Sequence, residues 1–320
     1  MKKFFLTVLL LSAALAANAQ DLVRVGTLKF VHYGAVWYME KLAPKYNLRI
    51  SYTVYPVGVD VVKGVAKGEV DMGSTEMTGT IKARNNGDPL LIIGGFSKGG
   101  VNIIGRTALG LKSISQLKGH KVGVVKGSTH ELVLFATLDK YNLTYSEQPG
   151  KDVQIVYASS YPALSSALLT KNVDAACQSE PQASQAISRG YGTSIRLPYD
   201  TPLGEPGRAI ITTEKFYNSD VALRAMRCFV EATETFIRQP DLAESFIIKT
   251  LFGGFITSDE YREAIANAPF TTDMTTEHVQ TAIDLMSKYG LIQLDPKKPL
   301  KAKAFVREEL LEKAKHKTTK

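Results

Sequence analysis

Four short stretches of this 320-residue chain carry groups that could hold a polar molecule. Gly127-Ser128-Thr129-His130 places a glycine, two hydroxyls and an imidazole between a predicted strand and a predicted helix. Free backbone N–H groups and the positive end of a helix dipole at such a junction suit an acidic group. The same residues also suit a plain cap, with Ser128 or Thr129 accepting from its own helix. Ser74-Thr75-Glu76 stands at an equivalent junction earlier in the chain. It offers two hydroxyls and a carboxylate to a ligand, or a capping sequence to the helix that follows. Glu180, just before Pro181, could accept ligand N–H groups or serve as a first-turn acid. Lys29, Phe30, His32 and Tyr33 follow the first predicted strand, where aromatic rings could cover a flat or apolar ligand. Trp37 and Tyr38, farther along, read as core.

This is the chemistry of capture. His-Glu-x-x-His and a P-loop are absent from the sequence. Ser128 and His130 are separated by one residue, with nothing to indicate a triad. His32, His130 and Glu76 lack the spacing of a metal site. No catalytic residue, metal or cofactor is expected.

The elements that must position these groups alternate between strand and helix. Val23–Leu28 predicts a first strand, Tyr33–Leu42 a helix and Leu48–Tyr55 a second strand. Gly58–Lys67 predicts a helix, Val70–Gly73 a strand, Thr75–Asn85 a helix and Leu90–Ile93 a buried strand. After Gly94-Gly95 and Gly99-Gly100 the alternation begins again, with strands at Val101–Gly105, Lys121–Val125, Val153–Tyr157 and Asp174–Cys177. The last stretch is mostly helical, led by a helix capped by Ser219 with Ala222, Ala225, Met226, Phe229 and Val230 inward. Such alternation implies parallel-rich sheets with helices on their faces.

A repeat supports two such units. Lys67-Gly68-Glu69-Val70-Asp71-Met72-Gly73-Ser74-Thr75-Glu76 has an echo in Thr170-Lys171-Asn172-Val173-Asp174-Ala175-Ala176-Cys177-Gln178-Ser179-Glu180-Pro181. Aligning Asp71 with Asp174, each copy runs from a helix end through a short strand to a glutamate. The expected division is 1–19 as a signal peptide, 20–104 as the first part of lobe 1, 105–205 as lobe 2, and 206–320 as the return into lobe 1. Flexible crossings are expected near 97–106 and 200–208. Ligands of open α/β sheets lie beyond the C-terminal ends of strands. Ser74–Glu76 and Ser179–Glu180 are therefore expected to face each other across a crevice.

Lys2-Lys3, the apolar run Phe4–Ala17 and Ala17-Asn18-Ala19 make the three parts of an export signal with cleavage before Gln20. An exported protein is expected. The net charge is +8, and residues 297–320 carry nine Lys or Arg against three Glu. The basic balance therefore belongs to the C-terminal stretch, and no nucleic-acid face is expected. Cys177 and Cys228 fall in different lobes and are expected as buried thiols.

Three segments carry a resemblance: Gly68-Glu69-Val70-Asp71-Met72-Gly73, Leu117-Lys118-Gly119-His120-Lys121-Val122-Gly123-Val124 with Lys126-Gly127-Ser128, and Asn172-Val173-Asp174-Ala175 with Glu180-Pro181. Together they resemble the periplasmic solute-binding proteins of ABC importers in the nitrate/sulfonate/taurine group, which includes thiamine-precursor, NMT1/THI5-like members. The resemblance implies a type II periplasmic-binding fold, α/β, with two lobes and a two-segment hinge. It implies a monomer that hands a small organic solute to a permease in the inner membrane, and no enzymatic activity. A ligand-presenting sensor, or an enzyme on the same fold, is the alternative. Carried over by position, the ligand loops are Lys29–Tyr33, Ser74–Glu76, Gly127–His130 and Glu180. Relatives often place an aromatic residue just before the acid-Pro pair, where this chain has Gln178-Ser179. Two cleft glutamates also lead one to expect a ligand with N–H donors beside its acidic group.

Overall fold

Val23 and Val25 are buried while Arg24 between them is half-exposed, the period-two pattern of a strand. That strand, β1 (Asp21–Thr27), opens the computed structural model, which describes residues 20–316. The expected signal peptide lies outside the described residues. The further strands are β2 (Leu48–Val54), β3 (Met72–Glu76), β4 (Leu90–Lys98), β5 (Val101–Arg106), β6 (His120–Val125), β7 (Tyr145–Ser146), β8 (Val153–Ala158), β9 (Ala175–Ser179), β10 (Gly192–Arg196) and β11 (Gly207–Thr213). They form a first sheet ordered β2-β1-β3-β11-β4 and a second ordered β10-β5-β9-β6-β8-β7. The pairs β1–β2, β1–β3, β6–β8, β6–β9 and β7–β8 are parallel, while β5 and β11 run antiparallel to both their neighbours. The expected parallel-rich α/β architecture in two lobes is present.

The longer helices are α1 (Gly34–Leu42), α2 (Gly58–Ala66), α3 (Met77–Asn85), α4 (Thr129–Lys140), α5 (Tyr161–Leu169), α6 (Gln182–Ser188), α7 (Asp220–Arg238), α8 (Ser258–Asn267), α9 (Thr276–Lys288) and α10 (Glu308–Lys315). Ser219 caps α7 by accepting from Ala222 N–H, and Ala222, Ala225, Met226, Phe229, Val230 and Phe236 form its buried stripe. The stripe packs α7 against α1 and α10. Burying each such Phe or Val contributes about 1.5–3 kcal/mol. The C-terminal stretch is tied to the first sheet, where Ile92 N donates to Phe305 O and Arg307 N donates to Ile92 O at 2.9 and 2.8 Å.

The chain leaves the first sheet at Lys98 and enters the second at Val101, through Gly99 and Gly100. Both glycines have positive φ, and a Cβ on Gly99 would lie 2.3 Å from Asn267 O. No side chain fits there. It returns between Arg196 and Gly207.

Two local expectations are corrected. Ser74–Glu76 continues strand β3, and the helix starts at Met77 rather than Thr75. Phe96–Lys98 likewise extends β4 beyond Ile93. The cause is the same in both cases. Strand β11 pairs with Ser74–Glu76 on one side and with Leu90–Lys98 on the other, supplying ladder partners from more than a hundred residues away.

The echo has a structural meaning at its aspartates. Asp71 pairs with Arg24 at 2.6 Å and accepts from Arg24 N–H, while Asp174 pairs with Arg106 at 2.5 Å and accepts from Lys121 N–H. Each clips the start of its strand to the neighbouring one. Cys177 on β9 and Cys228 on α7 are buried free thiols, as expected.

Candidate functional site

Glu76 ends β3 in the first lobe, and its carboxylate reaches into the second. Oε2 accepts from Thr129 N–H at 2.9 Å, at the first residue of α4. Oε1 accepts from the Tyr161 hydroxyl at 2.5 Å and lies 3.2 Å from His130 Nδ1. His130 Nδ1 is 2.7 Å from the Tyr161 oxygen. Tyr161 has a single hydroxyl proton. With Glu76 ionised that proton goes to Oε1, so Nδ1 of His130 carries a proton and donates. Nε2 of the same ring lies 3.3 Å from Gly100 O in the crossing. The Thr78 and Thr129 hydroxyls meet at 3.0 Å. Phe30 meets Tyr161 edge-on, ring centroids 5.5 Å apart.

The titration of this cluster follows from its burial. Burial alone would push the Glu76 carboxyl up, but the hydrogen bond and charge of His130, the charge of Arg208 and the Tyr161 hydroxyl outweigh it and hold the group down to about 2. Burial pushes the His130 imidazole below its ordinary range, against the pull of Glu76. Burial and Glu76 both raise the Tyr161 hydroxyl well above its own.

Beside the carboxylate lies a cation. Arg208, on β11, is only 1% exposed. Its Nε donates to His32 Nε2 at 3.1 Å and its Nη2 to Gly100 O at 3.5 Å. Among the described residues Nη1 has no hydrogen-bond partner. A guanidinium only donates, so His32 Nε2 accepts and the proton of that ring sits on Nδ1, which is also buried without a partner. Burial, with the charge of Arg208 next, drives the His32 imidazole well below its ordinary value. Its ring lies nearly parallel to those of Phe30 and Phe96, with centroids 5.8 and 6.5 Å apart and interplanar angles of 13° and 5°. Two unpartnered donors on adjacent side chains thus lie at the junction of the lobes. Both suit an acceptor that carries negative charge.

A groove of about 280 Å³ lies outside this centre, bounded by Thr78 and Lys82 of the first lobe and Gly127, Ser128 and Tyr157 of the second. A larger groove of about 810 Å³ beside Arg84, Gln293 and Lys298 has no part in the centre.

Comparison with known proteins decides the family. The profile for NMT1/THI5-like proteins matches residues 45–243. The chain belongs to the NMT1/THI5-like family. An Escherichia coli (strain K12) protein named for binding aliphatic sulfonates is 26% identical over 219 residues, which span 67% of this chain and 65% of the relative. The alkanesulfonate-binding protein from Xanthomonas axonopodis pv. citri, solved with bound MOPS, superposes with a TM-score of 0.75 at 18% identity, covering 90% of this chain and 98% of that one. The periplasmic nitrate-binding protein from Synechocystis PCC 6803 gives 0.74 at 13% identity, covering 92% and 88%. These likenesses establish the periplasmic-binding fold.

Within this NMT1/THI5-like chain the expected site residues divide. Phe30, His32, Tyr33, Glu76, Thr129 and His130 all take part in the buried centre or its aromatic wall. Lys29 does not, since its side chain is exposed. Ser74 donates to Thr27 Oγ1 at 2.8 Å and Thr75 to Gly58 O at 2.9 Å, so both hydroxyls are spent inside the first lobe. Ser128 is the cap of α4, accepting from Glu131 N–H and donating to Val125 O. Gly127 takes a positive φ and donates its N–H to Glu131 Oε2 at 2.7 Å.

Glu180 lies apart from Glu76. Its carboxylate accepts from Ser184 N–H, Ser184 Oγ and Asn267 Nδ2 at 3.0, 2.7 and 2.8 Å. The facing pair of glutamates across a ligand is therefore corrected to one glutamate in the centre and one tying α6 to α8. Both already accept protein donors. Arg208, Tyr161 and Phe96 were not singled out from sequence. Tyr161 had a usable signal, because it follows strand β8 just as Ser128 follows β6.

Proposed function

We propose that this chain is an exported solute-binding protein that closes two lobes over a small organic acid and presents it to an ABC permease. The carrying observation is Arg208, a buried guanidinium whose Nη1 lacks a partner beside the equally unpartnered Nδ1 of His32. An unpaired buried donor costs about 1–3 kcal/mol, more when charged. A sulfonate or carboxylate would accept from both groups at once and recover that cost. The aromatic rings around His32 would suit an apolar or heteroaromatic remainder. The names of the relatives, for alkanesulfonates, aliphatic sulfonates and nitrate, support an anionic ligand.

Under this reading the lobes move about the crossings at 99–100 and 197–206, with 20–98 and 207–316 in one lobe and 101–196 in the other. Closure would bury the ligand and shift the population toward the form a permease engages. Residues 1–19 would direct export, and the mature protein would act as a monomer in the periplasm. The named relatives are binding proteins.

Calorimetry on protein stripped of co-purified solute tests the reading. An alkanesulfonate, an aromatic carboxylate, MOPS and nitrate form the panel. At least one is expected to bind in the wild type and to lose affinity in Arg208→Met. Binding that is indifferent to Arg208, or no binding by any of them, rejects an anion held at Arg208.

A further inference from the structure

The N-terminus of α4 is the place where a ligand's acidic group would be looked for, and here a carboxylate of the protein already holds it. We propose that Glu76 is an internal anion that latches the two lobes together before any solute arrives, leaving Arg208 and His32 as the seat for the solute's own acidic group. The inference rests on the reading of two lobes that open and close.

Three observations carry it. First, the contact is an anion site in full. Glu76 Oε2 takes the Thr129 N–H and Oε1 takes the Tyr161 hydroxyl, with His130 Nδ1 within 3.2 Å. Backbone N–H, helix dipole and hydroxyl all point at a group from the opposite lobe. Second, the centre is buried. Glu76 is 8% exposed and Thr129 and His130 are fully buried, so the charge-assisted bonds are little screened by solvent. Third, in the other ion pairs between the lobes the cation is largely exposed. Lys288 and Asp139 meet at 2.7 Å, yet their side chains are 57% and 47% exposed. An ion pair in that setting contributes little. Arg189 pairs with Glu260 at 3.2 Å, and its side chain is 46% exposed while that of Glu260 is 3% exposed.

The consequence is a division of labour. Each lobe would otherwise expose unpaired polar groups on opening: Glu76 on one side, the α4 N-terminus and Tyr161 on the other. Their mutual satisfaction favours closure with no ligand present. A solute then enters a centre whose carboxylate is already compensated, and meets the uncompensated guanidinium.

The test uses no ligand. Protein stripped by unfolding and refolding is compared as wild type, Glu76→Gln, Glu76→Ala and Lys288→Ala. Small-angle scattering reads the lobe separation, and hydrogen exchange reads the Thr129 amide. The wild type and Lys288→Ala are expected to be compact, with a slowly exchanging Thr129 amide. Glu76→Ala is expected to shift to a larger radius of gyration and to lose that protection. Glu76→Gln keeps an acceptor but no charge, and is expected between them. Circular dichroism identifies a variant that does not fold, in which case Glu76→Gln carries the comparison. A wild type as open as Glu76→Ala overturns the proposal. So does Glu76→Ala that stays compact, or Lys288→Ala that opens as far as Glu76→Ala. Failure of the solute-binding reading would appear separately, as absence of calorimetric heat in every variant.

Discussion

Arg208 on β11 stands in register with Glu76 on β3, so a buried cation and a buried carboxylate occupy one rung of the first sheet. They do not pair with each other. Glu76 turns to Thr129, Tyr161 and His130, and Arg208 turns to His32 and Gly100. That divergence leaves the carboxylate compensated and the guanidinium partly not. It separates what closes the protein from what recognises the solute.

Replacing Arg208 should therefore affect binding more than stability. Truncating one member of a buried, hydrogen-bonded charge pair costs about 2–5 kcal/mol of affinity, which is roughly 30- to several-thousand-fold in Kd. Arg208→Met should show a loss in that range by calorimetry. Its thermal stability without ligand should change less, because relief of a buried charge with an unpartnered Nη1 is offset by the loss of a donor to His32 Nε2 and Gly100 O and of a cation beside Glu76. Arg208→Lys should recover only part of the affinity, since an ammonium cannot reproduce the planar fork.

Acid should destabilise the fold in two ranges. His32, His130 and His278 lie below their ordinary value of 6.5 in the folded protein, chiefly through burial. The unfolded chain binds those protons first, so stability falls as the pH drops below about 6.5. Glu76 is depressed from 4.5 to about 2. Its contribution is present above the unfolded value and is lost as the pH falls from there toward 2, a total on the order of 3 kcal/mol. Glu180 acts in the opposite sense, since burial raises it and protonation there relieves a cost. Urea unfolding between pH 7 and 3 should show the decline starting near 6.5. In Glu76→Gln the decline below 4.5 should be shallower. A wild type of constant stability from pH 7 to 4 contradicts the assignment.

Ser128→Ala should lower stability rather than remove a ligand contact. The hydroxyl accepts from Glu131 N–H and caps α4. Loss of such a cap costs about 1 kcal/mol, close to 2 °C in Tm for a chain of this size. Differential scanning calorimetry measures it directly. Unchanged Tm would mean that the hydroxyl does not hold the helix end.

Glu180→Gln should destabilise while leaving solute affinity in place. Three donors converge on that carboxylate. An amide in its place turns one acceptor into a donor facing a donor, at a cost of about 1–3 kcal/mol. A large loss of affinity with no change in Tm would return Glu180 to the ligand site.

Several of these relationships are legible in the sequence alone. The strand–helix alternation, the repeat around Asp71 and Asp174, and the stripe on α7 are local patterns with a fixed period. So is the placement of Gly127–His130 between β6 and α4, which put Thr129 and His130 in the site. The aspartates of the repeat proved to clip strands together, and the glutamates ending its two copies went to different tasks.

What the sequence determined by itself was the class of fold and the loops at the strand ends, because side-chain periodicity and turn chemistry act over a few residues. Tertiary structure alone decided which loop residues face one another. Strand β11 reaches β3 from more than a hundred residues away, turning Ser74–Glu76 into strand and placing Arg208 beside Glu76. Glu76 meets Thr129 across fifty-three positions and Tyr161 across eighty-five. Whether an arginine is solvated or buried without a full set of partners depends on what packs around it. No local pattern of charges carries that information.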